Sequence, residues 1–531
     1  MSLLDDVSIL VTPNGFKGGT LHSAIPSDGS ADMDVTRATA GTRVDENGLV
    51  NYAEVLGSEE VTNGDFDTDS DWAKLNGSTI SGGVGNVIAG GSIGNSDANF
   101  SLTQNSVFDA NKTYKVKFKA RKMSGNGNLQ VGRDYIAFFD QTITSSFVEY
   151  EITFFTNPIG IFSGGLVFGG RVSGDVFEID NVSVKEVDLN NVPRIDYTGG
   201  GCPHILAEPQ RTNSLFQSNQ FDTTWVLTNS SVVGNQSGIY NTTDAWKLVG
   251  NGANNDRLNS NSLSSGAYTF SIYAKAGNSK FTAVVLGSAV VYYNLETGSV
   301  GSAANVTNSS IESVGNDWYR LTLSVASFTG SAQIYIANGV GNVNTSNGDF
   351  IYLQHAQAEV GSYATSIIPT STSTVTRNKD VFTRDGISSL INSTEGVLFV
   401  EIAALSDDGT YRLISISDGT NNNRVTLGFS NNNNKFYFQL KASSNNIFAE
   451  QITETHLDSN KIAFKYKSGE LCVYINGVKV IDRTDSFTFN SNLNDLILFE
   501  QGTVNPFFGK VKQLQVYKTA LTDTQLTSLT S

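Results

Sequence analysis

Fifty-one aspartates and glutamates are spread over 531 residues, so the first chemistry to weigh is glycoside hydrolysis. That reaction needs two carboxyls at a set separation, one of them kept protonated by its surroundings. Asp134, Asp140, Glu149 and Glu151 lie in or near strand-like runs. Glu149 and Glu151 share parity, which puts them on one solvated face of a strand. No acid falls in a recognisable catalytic motif, and no nucleophile elbow, phosphate loop or His-Glu-x-x-His helix occurs. The four histidines, His22, His204, His355 and His456, are too scattered for a zinc spacing. Two cysteines, Cys202 and Cys472, cannot form a disulfide framework. The sequence therefore predicts no catalytic residues and no enzyme. Sugar rings stack on flat aromatic faces, which directs attention to Trp72, Trp225, Trp246 and Trp318. Trp72 and Trp225 occupy the same place in two repeated segments, and Trp318 sits in a clean strand beside Leu321 and Leu323. All three read as core residues. A glycan site built from some of the 19 tyrosines stays open, with no residue assigned.

The net charge is −16. Nucleic acids and anionic membranes require a concentrated basic patch, so neither is expected as a partner. No apolar run approaches the ~20 residues of a membrane helix, so no membrane insertion is expected. The opening Met-Ser-Leu-Leu-Asp-Asp carries acids where a signal peptide needs bases. The chain is expected to fold unprocessed in a cytoplasm. Its abundance of Gly, Asn, Ser, Thr, Tyr and Phe is nevertheless that of extracellular β-proteins. Both facts suit a virion component assembled in a host cell; secretion by a route that leaves no N-terminal mark is the alternative.

The elements that must hold any site are strands. Alternation of apolar and polar residues recurs in Tyr114–Ala120, Phe147–Phe154, Tyr268–Ala274, Trp318–Val325, Val397–Ile402, Lys435–Leu440 and Leu471–Ile475, separated by Asn/Gly turns. Val473-Tyr-Ile-Asn-Gly-Val-Lys-Val480 reads as a hairpin turning at Asn476-Gly477. The only expected helix is Thr522–Leu529. The length suggests three or four domains. The fold class is all-β, with tandem antiparallel sandwiches. A polar N-terminal segment covers 1–61, and a jelly roll 62–187. A connector follows at 188–215, a second jelly roll at 216–368, a Ser/Thr-rich linker at 369–387 and a third sandwich at 388–531. The two jelly rolls share an Asn/Asp-Phe-Asp opening and a following tryptophan, an internal repeat at low identity.

Four strings stand out in order: Thr36-Arg37-Ala38 through Val44-Asp-Glu-Asn-Gly-Leu49; Pro193-Arg-Ile-Asp-Tyr197 with Cys202-Pro203; Glu208-Pro-Gln-Arg-Thr-Asn213; and Gly361-Ser-Tyr-Ala364 through Arg377. As a set they resemble a group of tailed-bacteriophage virion proteins. The "NGDFD" opening and the "EIDNVSVKEV" ending of residues 62–187 resemble a carbohydrate-binding-module jelly roll, which looks inserted before Pro193. The third sandwich resembles laminin-G and concanavalin-like lectin domains through "VYINGVKV" and its closing residues 507–526.

These resemblances imply a non-enzymatic tail or capsid fibre or related appendage, a homotrimer that adheres to host surface polysaccharide. A capsule- or wall-degrading virion enzyme and a bacterial adhesin are the alternatives. Jelly rolls of this kind often carry one structural calcium between first and last strands, for which Asp67 and Asp180 are the implied ligands. The other reading of both is that they cap turns or face water. In the second jelly roll Asp222 follows Phe221, but no acid stands where Asp180 stands. Residues 1–61, polar and short of core residues, are expected to attach the chain to other virion proteins and to order on a partner. Arg37 and Arg43 would pair there with acids of a capsid or tail protein.

Overall fold

The computed structural model describes residues 3–94, 96–156, 164–239, 244–500 and 504–531. Antiparallel strands dominate, and the described helices are Leu3–Asp6, Asp523–Thr530 and one 3-10 turn. The chain forms two compact units, Glu54–Asp188 and a larger one made of Met1–Ala53 with Leu189–Ser531.

The Glu54–Asp188 unit is a sandwich of a five-stranded and a six-stranded sheet. Thr113–Ser124 shows why the sequence folds this way. Tyr114, Val116, Phe118 and Ala120 alternate inward and are buried, while Lys115 and Lys117 turn out to meet Glu151. Phe66 and Trp72 pack at 5.2 Å in the core, and the Trp72 Nε1 donates to the Asn63 carbonyl (3.1 Å). The larger unit repeats this device: Phe221 and Trp225 pack at 5.0 Å, and Trp225 Nε1 donates to the Gln217 carbonyl (3.0 Å).

Within the larger unit, one ten-stranded sheet runs through the 20-residue strands Arg257–Ala276 and Trp318–Ala337. Bulges between Asn259 and Tyr268 bend these strands so that one sheet curls over its own core. That core holds Phe270, Ile272, Leu321, Leu323 and Ile334. A second, sixteen-stranded sheet forms the C-terminal sandwich. Its hairpin turns at Asn476 (φ 48°) and Gly477 (φ 82°), the pair of positive values a type I′ turn requires. Its closing helix, Asp523–Thr530, begins with a capping box between Thr522 and Gln525.

The sixteen-stranded sheet corrects the expectation for residues 1–61. The strand Val7–Lys17 lies between Thr20–Ile25 and Gly509–Tyr517, with Val7 opposite Tyr517 and Val11 opposite Leu514. Met33–Thr36 pairs on to Val381–Arg384. Ile9, Val11, Leu21, Met33 and Val35 are buried in the same core as Leu398, Phe438, Phe464 and Val516. Residues 7–36 thus supply three interior strands of the C-terminal sandwich and are not a tail awaiting a partner. Their polarity misleads because a strand covered on one face needs an apolar residue only at alternate positions.

Candidate functional site

The four strings of the sequence meet at one place. Arg37 follows the Met33–Thr36 strand, Arg194 precedes Ile195–Asp196, Glu208 follows His204–Ala207, and Arg377 ends Val375–Arg377. With Asp380 these five side chains form a cluster whose members are all less than a twentieth exposed. Arg37 Nη1 lies 2.7 Å from Asp380 Oδ1, and Arg377 Nη1 lies 2.8 Å from Glu208 Oε2. Arg194 bridges the two acids, Nη1 to Glu208 and Nη2 to Asp380. The backbone joins in: the Glu208 N–H donates to Asp380 Oδ2 (2.8 Å), and the Ser366 N–H donates to Glu208 Oε1 (2.8 Å). Burial alone would raise both carboxyl pKa values. The pull of Arg377 and Arg194 on Glu208, and of Arg194 and Arg37 on Asp380, outweighs it and holds both well below the usual carboxylate range. The fourth string adds Tyr363, whose ring has Arg211 at 5.3 Å and Arg412 at 5.6 Å.

Beside the cluster opens a cleft of about 790 Å³, within the ~300–1,000 Å³ range of small-molecule sites. One wall is the turn between the strands Thr42–Val44 and Val50–Tyr52. Asp45 holds that turn by accepting from the Asn47 and Leu49 N–H groups (2.9 and 2.8 Å). A second wall is Tyr197 with Gly199, Gly200 and Gly201. These three glycines have φ of 90°, 72° and 76°, and a Cβ on any of them would meet nothing within 4 Å. Glycine is required there for the backbone conformation, not for space. The floor includes Tyr273 and Arg320, 5.6 Å apart in a cation–π contact. Arg320 Nη2 donates to Ser271 Oγ (3.1 Å) and to the Thr365 carbonyl.

The inner acids are all engaged. Glu208 is ion-paired as above, Glu359 accepts from the Thr365 N–H (2.9 Å), and Asp196 accepts from the N–H groups of Val44 and Thr198 (both 2.8 Å). This arrangement can bind through phenol, amide, guanidinium and carboxylate groups. Glu208, the most deeply paired of these acids, is held in its ionised form by Arg377 and Arg194. Asp134 and Asp140 are engaged elsewhere: the first accepts from the Gly164 and Gly165 N–H groups, the second from Arg171, Asn128 and Gln130.

Arg37 was expected to face a partner's acids. It is fully buried and paired with Asp380, so that expectation is corrected: its partner lies 343 residues away in the same chain. Arg43 is half-buried at the cleft and donates from Nη1 to the Ile195 carbonyl (3.0 Å). Asp67 is exposed in its loop, and Asp180 is half-buried and accepts from the Asn181 N–H (2.7 Å). Among the described residues, no three His, Cys, Asp or Glu side chains are placed to hold a metal ion. The cleft has a signal in the sequence, since its walls come from three of the four strings, but nothing local in those strings marks them as neighbours in space.

His204 lies against the cleft, 3.3 Å from Asp196 (Nε2–Oδ1). Burial pushes its pKa down to about 4, with Asp196 offsetting only part of the effect. Burial likewise pushes His355 down to about 4, and lowers His456. In the folded chain these imidazoles stay neutral where the unfolded chain, near pKa ~6.5, takes up protons. Their contribution is complete above about pH 6.5 and is lost as pH falls toward 4. Glu208 and Asp380 lose theirs only below the ordinary carboxylate range. The melting temperature is therefore expected to be flat above pH 7 and to fall between pH 6.5 and 5. His204→Gln is expected to flatten part of that slope, as scanning calorimetry across the window would show.

Among curated proteins none matches the chain. Solved structures with a similar fold include the CBM40 of Ruminococcus gnavus IT-sialidase bound to alpha2,3 sialyllactose, 17% identical, with a TM-score of 0.25, over 27% of this chain and 86% of that one. Domain 4 of AbnA, a GH43 extracellular arabinanase from Geobacillus stearothermophilus, in complex with arabinotriose, is 18% identical, with a TM-score of 0.24, over 32% of this chain and 84% of that one. Residues 398–527, most of the C-terminal sandwich, match the concanavalin A-like lectin/glucanases superfamily.

Proposed function

We propose that this chain is a non-enzymatic structural protein of a tailed-bacteriophage virion, a tail or capsid fibre or related appendage, that adheres to host surface glycans. The observation that carries the reading is the concanavalin A-like lectin/glucanases match at residues 398–527, set in a nearly all-β chain. The cleft in the same unit supports binding over cleavage, because its inner acids are held by hydrogen bonds and ion pairs. The virion role rests on the likeness of the four strings to phage virion proteins, and those strings are the ones that build the buried cluster. Copies arranged as a homotrimer would turn weak single sites into firm attachment. Contact with other virion proteins then falls to a surface of the folded unit, since the strands at 7–17, 20–25 and 33–36 are committed to the sandwich.

The test is to incubate the purified chain with intact surface polysaccharide from the phage's host. Retention on the polysaccharide with no new reducing ends is the expected result. Release of reducing ends would replace this reading with a degrading enzyme, and absence of the chain from purified particles would remove the virion role.

A further inference from the structure

The larger unit offers a place for the glycan outside the face-to-face core of the C-terminal sandwich. We infer that the cleft between the Asp45–Leu49 turn and the Tyr197–Gly201 turn is a glycan site, and that it takes a short stretch of neutral polysaccharide. This rests on the adhesion reading above and goes further by naming site and ligand class.

The first argument is construction. Both turns are held by their own hydrogen bonds: the Asp45 carboxylate accepts from the Asn47 and Leu49 N–H groups in one, and in the other the Gly200 N–H donates to the Tyr197 carbonyl (2.9 Å) while Asp196 accepts from the Thr198 N–H (2.8 Å). A cavity framed by two such pre-set turns loses little order on binding, which favours a small rigid ligand. The second argument is what lines it. Tyr197 offers ring surface, Asn47 and Asn316 offer amides, and Arg320 offers a guanidinium. Together they can donate to and accept from the many hydroxyls of a sugar while covering its apolar face.

The third argument is charge. Arg320 on the floor is already answered by Glu359 and Glu312 at longer range, and the arginines buried beside the cleft, Arg194 and Arg377, by Glu208. Around the cleft stand the acids Asp45, Glu46, Asp196, Glu208 and Glu312, against Arg43, Arg320 and Lys510. Within a Debye length of about 8 Å, a carboxylated or sulfated chain would meet more negative than positive charge there. It would approach a protein of net charge −16. A neutral chain meets no such opposition.

Affinity electrophoresis of the full chain through gels of dextran, galactomannan and mixed-linkage β-glucan, against alginate and hyaluronan, tests the inference. The host's isolated surface polysaccharide belongs in the same series. Tyr197→Ala and Asn47→Ala change groups at the mouth without touching the buried cluster; an unchanged melting temperature would confirm that each folds. Wild type is expected to be retarded by at least one neutral polysaccharide. The two variants together are expected to weaken that retardation about tenfold. Retardation left intact in the double variant would overturn the site while leaving the adhesion reading standing. Retardation by the acidic gels alone would overturn the ligand class. A wild-type chain retarded by no gel, the host polysaccharide included, would overturn the adhesion reading itself.

Discussion

Arg194→Ala is expected to destabilise the larger unit by about 3–5 kcal/mol, the usual cost of removing one partner from a buried ion pair. Arg194 has no exposed surface and is the one residue that touches both acids of the cluster. It also donates from Nη1 to the Thr42 carbonyl (3.3 Å) and to Ser366 Oγ (2.8 Å). Without it, Glu208 keeps Arg377 as its ion-pair partner and Asp380 keeps Arg37, each carboxylate one cation short and still shut away from water. Such a residue links Thr42, Glu208, Ser366 and Asp380, segments far apart in sequence, so its loss is felt across the unit. Arg194→Met keeps most of the volume but not the charge, and is expected to lose nearly as much. A loss confined to the alanine variant would assign the effect to packing instead. Arg43→Ala, at the half-buried cleft wall, is expected to cost about 1 kcal/mol. Urea unfolding followed by tryptophan fluorescence would measure all three. A shift below about 1 kcal/mol for both Arg194 variants would mean the cluster is not what holds the strings together.

This cluster also marks where sequence reasoning stops. Local patterns carried well. The alternation of Tyr114, Val116, Phe118 and Ala120 appears as buried positions. Asn476-Gly477 turns a hairpin, and the terminal helix begins at its Thr522 cap. Each of these is encoded within a few residues, by side-chain period, turn chemistry or capping. The cluster is not. Arg37 and Asp380, or Arg194 and Asp380, are polar residues in polar surroundings, and nothing local tells a buried arginine from a solvated one. Only the far-off acid makes the difference, because a charge enters a core when it is paired and hydrogen-bonded there. The strings were visible as words, and their grammar was three-dimensional. The same cause hid the cleft, whose walls come from residues 42–50, 196–201 and 363–367.

Deleting residues 1–36 is expected to leave the C-terminal sandwich unable to fold. A separable docking tail could be removed without loss, so this deletion distinguishes the two pictures sharply. The strand Val7–Lys17 sits inside the sheet, and its removal strips Gly509–Tyr517 of its partner at Val7–Val11. Loss of Met33–Thr36 frees one edge of Val381–Arg384. Val7, Ile9, Val11, Leu21, Met33 and Val35 are all buried, and each such side chain is worth about 1.5–3 kcal/mol. Their combined loss rivals the ~5–15 kcal/mol that keeps a whole domain folded. The expected outcome is an insoluble product, or a soluble one with no cooperative melt for this unit and weak near-ultraviolet dichroism. A truncated chain that melts cooperatively at the wild-type temperature would restore the tail. If the deletion behaves as expected, residues 7–36 are no separable tail, and the C-terminal sandwich must wait for the last of its strands, residues 509–517, before the first of them, residues 7–17, can be fully paired.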